Sequence, residues 1–154
     1  MLASRPPTSA SQTFSALIST KRSWRDFALD VAMRPVRQLR LNEPGNTWET
    51  GWILFRLRDL ENYYYFILKP NGWELGKKHG SDAQIFLATG EAPSLSIGAT
   101  ARIRIAARGA RIRISVDGVP VVDFVDERPL ARGSVGLYEE DARVRFGPVR
   151  VSAP

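Results

Sequence analysis

Apolar and charged residues alternate strictly in two neighbouring runs, Arg102-Ile-Arg-Ile105 and Arg111-Ile-Arg-Ile114. A period of two marks half-buried β-strands, with isoleucine on the core side and guanidinium groups outside. Ala107-Arg-Gly-Ala110 between them is turn material. A four-residue loop there predicts Ile103 facing Ile114, Ile105 facing Ile112 and Arg104 facing Arg113. Phe27, Leu29 and Val31 also alternate with Asp26, Ala28 and Asp30, and Pro35 is expected to limit that strand, with Leu39 and Leu41 continuing it after a bend. In Gly51–Arg58, Ile53, Phe55 and Leu57 share one face and Leu54, Arg56 and Arg58 the other. In Tyr63–Lys69, Tyr64, Phe66 and Leu68 oppose Tyr63, Tyr65, Ile67 and Lys69. Pro70-Asn-Gly72 predicts a tight turn into a return strand, Trp73–Lys77. Val116-Asp-Gly-Val119 predicts a hairpin with a two-residue turn. A bulge after it would turn Val122 and Phe124 inward and keep Asp123 out.

The remaining segments fit the same plan. Asn42–Asn46 is a loop, Ile85–Leu87 a strand or buried loop, and Glu139-Glu-Asp141 a turn between the last strands. No helix of convincing length is present. Ten to twelve short strands predict an all-β, two-sheet antiparallel β-sandwich. Residues 1–23, rich in Ser, Thr, Ala and Pro, read as a flexible tail or linker in which Phe14, Leu17 and Ile18 can pack down as a short strand or turn, leaving 24–154 as the sandwich domain.

Composition narrows the function only slightly. The 154 residues suit one domain, and the absence of cysteine excludes disulfides and thiolate metal sites. No run is long enough to span a membrane. Residues 1–23 lack the apolar core of a signal peptide, which points to a cytoplasmic chain unless it was cut from a longer secreted protein. The net charge is +6, from 22 Lys+Arg against 16 Asp+Glu. That excess lies on strands rather than in a tail, so no nucleic acid is expected; an acidic glycan or acidic protein is the alternative partner.

Several pieces together resemble a known family. They are Trp24-Arg-Asp-Phe27 with Leu29 and Val31, Gly51-Trp-Ile-Leu-Phe-Arg56, Asn62-Tyr-Tyr64, Val116-Asp-Gly118, Gly133-Ser-Val-Gly-Leu137, Val144-Arg-Phe146 and Val149-Arg-Val151. In this order the chain resembles the concanavalin A-like lectin/glucanase jelly rolls, which include laminin-G-like domains. It is most similar to the bacterial glycoside-hydrolase-like domain of unknown function, the 3-keto-disaccharide hydrolase group. The resemblance implies a jelly roll that binds or cleaves carbohydrate, with glycans lying across the outer face of a concave sheet. Glucanase members carry a Glu-x-Asp-x-x-Glu strand; this chain has none, and Glu139-Glu-Asp141 has the wrong spacing.

The expected function is therefore non-catalytic, lectin-like carbohydrate binding. Its expected platform is Arg56, Tyr63, Tyr65, Lys69, Trp73 and Glu74, extended by Trp48 and Trp52. Aromatic faces stack on sugars while Arg and Glu grip hydroxyls. The plain alternative is that the rings only cover the sheet. A glycoside-hydrolase-like enzyme would use Glu74, Asp59 or Glu61 as acid/base. A protein-interaction domain would use the arginine face. Arg102, Arg104, Arg111 and Arg113 form that face; they either bind an anion or are neutralised by Asp26 and Asp30. The resemblance also implies a structural calcium, to which Asp117, Asp123 or Asp126 would contribute. His79, the only histidine, reads as a loop residue without a metal partner.

Overall fold

The computed structural model describes residues 1–41 and 44–154, and places thirteen strands and no helix among them. The first sheet runs β1 (Leu2–Ala3), β12 (Ala142–Phe146), β3 (Phe27–Gln38), β8 (Ala101–Arg108), β9 (Arg111–Val116) and β10 (Val119–Val125), with β13 (Arg150–Ser152) also on β3. The second runs β2 (Ser15–Ser19), β11 (Ser134–Glu140), β4 (Gly51–Asp59), β5 (Asn62–Lys69), β6 (Gly72–His79) and β7 (Ile85–Gly90). All pairings are antiparallel. Phe27, Leu29, Ile105 and Ile112 from one sheet meet Phe55, Tyr64, Phe66 and Leu75 from the other, all fully buried. Phe55 and Tyr64 stack with centroids 5.2 Å apart, and Phe27 meets Phe55 edge-on.

The arginine/isoleucine hairpin forms, but two residues out of the expected register. Ile105 faces Ile114, Ile103 faces Val116 and Arg104 faces Ser115. The turn is only Gly109 and Ala110, with Gly109 at φ 55°, a backbone that glycine adopts without cost. Asp26 accepts the Gly109 N–H at 2.8 Å and holds the turn. A shift of two leaves each side chain on its expected face. The next hairpin turns at Asp117 and Gly118, both at positive φ. The register then shifts between Pro120 and Val122, which buries Val122 and exposes Asp123, as expected.

Three expectations are corrected. Pro35 does not limit β3 as a central strand, nor is the continuation the one expected through Leu39 and Leu41: the strand runs to Gln38 because a bulge opposite Arg143 and Val144 spares the missing N–H. Leu57 does not share a face with Ile53 and Phe55, because the β4–β5 register breaks after Phe55 and Arg56 takes φ 47°. Residues 1–23 are paired into the sandwich rather than hanging from it: β1 lies on β12 and β2 on β11. The loop expected at Asn42–Asn46 falls partly outside the described residues.

Candidate functional site

Odd-numbered β5 residues turn away from the core, and the neighbouring strands line up with them. Across the outward face of the second sheet, Tyr138, Trp52, Ile67, Glu74 and Thr89 form one row. Leu54, Tyr65, Gly76 and Phe86 form the next. Trp52 packs on Tyr65 at 5.2 Å and meets Tyr138 edge-on at 5.3 Å; Tyr63 lies 6.3 Å from Tyr65. Trp52 Nε1 donates to Trp48 O, and Trp48 itself is exposed.

The polar groups of this face come in pairs. Glu74 accepts from the Tyr65 hydroxyl at 2.9 Å and from Lys69 Nζ at 3.0 Å. Burial and the adjacent Glu74 charge push the Tyr65 phenol far up, so it stays a donor. On β11 the Tyr138 hydroxyl donates to Glu140 at 2.9 Å. Burial, reinforced by the Asp141 and Glu49 charges and partly opposed by bonds from Tyr138 and Trp48, pushes the Glu140 carboxyl up. Glu74 and Glu140 stand on strands three spacings apart, roughly 14 Å. A glycosidase carboxyl pair needs about 5–9.5 Å. With Glu74 tied to Tyr65 and Lys69 and Glu140 to Tyr138, these two do not form such a pair.

The structure brings Tyr63, Tyr65, Lys69 and Glu74 together with Trp52, as expected. Tyr65 nevertheless has no free face: its ring lies between Trp52 and the Cα of Gly76, where a Cβ would sit 2.3 Å from the ring. Tyr65 is the floor that aims Glu74. Two expected platform residues are elsewhere. Arg56 is buried because the bulge turns its backbone; it donates to Arg25 O and Leu130 O and lies 3.7 Å from Asp26. Trp73, adjacent to Glu74, must face the other way; it sits in the inter-sheet core and donates to Ala92 O. Tyr138 and Glu140 were not expected on the face. The alternation Gly136, Tyr138, Glu140 opposite Val135 and Leu137 carries the signal, and β11 continues through Glu139 and Glu140 where a turn was expected.

The other acids have separate employment. Asp59 accepts from Asn62 and the Glu61 N–H in the β4–β5 turn, bonds that hold its carboxyl below the usual range. Glu61 is exposed beside Lys78. Asp117 accepts the Arg102 N–H, Asp123 pairs with Arg111 and Arg113, and Asp126 pairs with Lys77. They do not converge, and no group of three or more Asp, Glu or His able to hold a metal exists among the described residues. His79 ends β6, exposed opposite Asn62.

Beyond the rim of the face, Glu49 and Asp141, fully buried, flank Arg40, whose Nη2 lies 2.6 and 3.1 Å from them. Asp141 also accepts the Phe14 N–H, and Arg40 donates to Ala10 O. This cluster ties the N-terminal segment to the β11–β12 turn and so fixes Glu140.

On the opposite side of the sandwich, arginines point outward from five strands. Arg34 and Arg37 lie on β3, Arg143 and Arg145 on β12, and Arg150 on β13. Arg102, Arg104 and Arg108 lie on β8, and Arg111 and Arg113 on β9. Asp30 pairs with Arg104 as expected. Asp26 instead caps the hairpin turn, and Asp123 takes Arg111 in a two-point contact at 2.6 Å each and Arg113 at 3.5 Å.

Comparison with known proteins agrees with this architecture. A family model described as 3-keto-alpha-glucoside-1,2-lyase-like domain matches residues 4–152. Carbohydrate binding module CBM66 from Bacillus subtilis superposes with TM-score 0.75 at 21% identity, over 90% of this chain and 82% of that one. Sheep galectin-11, solved in complex with glycerol, gives 0.62 at 8% identity, over 94% and 100%. Caenorhabditis elegans galectin LEC-6 gives 0.60 at 15% identity, over 95% and 99%. No curated protein sequence matches. The fold is the concanavalin A-like jelly-roll sandwich.

Proposed function

The chain belongs to the 3-keto-alpha-glucoside-1,2-lyase-like domain family, and from that premise we propose that it binds carbohydrate on the outward face of the six-stranded sheet. The carrying observation is the arrangement of that face. Tyr63 and Tyr138 are the half-buried rings of that face, backed by the buried Trp52 and Tyr65, and Glu74 with Lys69 offers an acceptor beside a donor. Sugars present C–H faces to rings and hydroxyls to such pairs. The names of the similar structures, a carbohydrate binding module and galectins, support the same reading.

A second reading places catalysis on this face. A 1,2-lyase acting on a 3-keto-α-glucoside takes the C2 proton, acidified by the adjacent ketone. The electron pair forms the C1=C2 bond, the C1–O bond breaks, and the leaving oxygen takes a proton. This elimination needs one base at C2 rather than a glycosidase pair. The raised carboxyl of Glu140, positioned by Tyr138, favours it as that base, because a base with a pKa nearer the working pH is more effective.

One experiment separates the readings. The chain is titrated with a glycan panel and incubated with a 3-keto-α-glucoside, beside Glu74→Ala and Glu140→Gln, each checked for an unchanged melting temperature. Glycan binding that weakens at least about tenfold in Glu74→Ala, some 1.4 kcal/mol, supports the binding face. Product release abolished in Glu140→Gln with binding retained supports the lyase. Binding indifferent to Glu74→Ala removes this face as the site.

A further inference from the structure

The arginine face of the seven-stranded sheet plays no part in that reading, and its chemistry is different. Its outward strand positions hold arginine and no lysine, and the only carboxylates among these strands are Asp30 and Asp123. Its ten arginines stand against these two aspartates, an excess larger than the +6 of the whole chain. Between the arginines stand Ala32, Ala106 and Ser115, whose short side chains leave space. The result is two depressions of about 540 and 370 Å³. One lies among Arg102, Arg104 and Arg150, the other among Arg104, Arg113 and Asp123. Both are bordered by Arg104 and Ser115, so they lie side by side across the sheet as one grooved surface with Arg104 and Ser115 between them.

We propose that this grooved surface binds an acidic polysaccharide. Arg102, Arg113 and Arg150 take its carboxylate or sulfate groups, and Asp30 and Asp123 accept from its hydroxyls. Guanidinium forks match planar or tetrahedral oxyanions at two points, which lysine does not do. The exposed acids select between polyanions. A DNA backbone is repelled by Asp30 and Asp123 as any polyanion is, and brings no hydroxyl donors to offset it. A uronic or sulfated sugar chain brings hydroxyl donors beside every anionic group. The outward positions of these strands carry no aromatic side chain on which bases would stack. No helix among the described residues projects from the face to enter a duplex groove.

The test uses the full chain, titrated with polygalacturonate and heparin, and beside them neutral dextran, single- and double-stranded oligonucleotides and phosphatidylserine vesicles. Arg102 and Arg150 are exposed and form no ion pair among the described residues, so Arg102→Glu/Arg150→Glu should keep the melting temperature; Arg102→Gln/Arg150→Gln is the second variant if it does not. Expected is binding to an acidic polysaccharide at low salt, none to dextran through this face, and a loss of at least about tenfold in the double variant. Glu74→Ala should leave this affinity unchanged, which separates it from the opposite face. The proposal is overturned by no acidic polysaccharide binding at low salt, or by unchanged affinity in a folded double variant. Oligonucleotides or vesicles binding as tightly as the polysaccharide overturn it equally.

Discussion

Asp126 concentrates three interactions in one buried side chain. It accepts from Lys77 Nζ and from the Tyr64 hydroxyl, each at 2.6 Å, and from the Arg128 N–H at 2.9 Å. Tyr64 in turn accepts the Leu130 N–H, and Arg56 donates to Leu130 O, so the 126–130 loop is sealed over one end of the core. Burial alone would raise the Asp126 carboxyl; the bonds from Lys77 and Tyr64 outweigh it and hold the carboxyl below its ordinary 3.8. Asp126→Asn strands a buried ammonium and should cost about 3 kcal/mol in denaturant unfolding. Replacing both partners, as Lys77→Met/Asp126→Leu, should cost less than the single change. The sign with pH follows from the lowered value. The contribution is complete above the unfolded pKa and is lost as pH falls below 3.8 toward the folded one. Wild-type stability should therefore fall more steeply than that of Asp126→Asn in this acid range. A slope equal in both proteins would contradict the assignment. None of this was legible in sequence, where Arg56 read as an outward platform residue, Asp126 as a contributor to a calcium site and Lys77 only as the end of a return strand. Their burial depends on a loop arriving from some fifty to seventy positions away.

At the scale of elements, local pattern carried the strands and their faces, while register depended on turns. The hairpin after Arg108 differs from expectation by two residues because Gly109 permits the tighter turn. The bulge before Val122 was legible because any other register would have buried Asp123. Of the two N-terminal strands, β2 was legible only as a short strand or turn around Phe14, Leu17 and Ile18, and β1 not at all: β2 is five residues of weak pattern, Ser15–Ser19, and becomes a strand because β11 presents an unpaired edge. β1 does the same for β12. Removing residues 1–19 would uncover both edges and release the Phe14 N–H from Asp141. Loss of about 2 kcal/mol, or roughly 4–8 °C in Tm at this chain length, is expected, with concentration-dependent aggregation. A truncated chain that melts like the intact one and stays monomeric would show that these strands add nothing.

The molecule as a whole presents two unlike faces on one core. One is aromatic with internally paired acids; the other is a field of arginine broken by two aspartates. Both proposals together make ionic strength the discriminating variable. Exposed charges separated by more than a Debye length, about 8 Å in physiological salt, are screened, while ring stacking and buried hydrogen bonds are not. Raising salt should abolish acidic polysaccharide binding and leave neutral glycan binding unchanged, read in the same titration cell. Parallel loss of both would mean that one surface serves both ligands.

Alternation is a property of neighbours in the chain, and it suffices for the all-β class, the core side of most strands and the arginine character of one surface. The sequence also places Tyr63, Tyr65, Lys69 and Glu74 close together, because β5 and β6 are joined by a tight turn. Which of these is exposed depends on strand pairing in the fold, since Tyr65 is covered by Trp52 from β4 and by the Gly76 backbone. The same pairing in the fold turns Arg56 inward at a bulge, brings β11 with Tyr138 and Glu140 alongside β4, and stitches the N-terminal segment to Asp141. Those outcomes depend on pairings between distant segments, whose choice rests on shared burial and edge satisfaction rather than on any pattern within either segment.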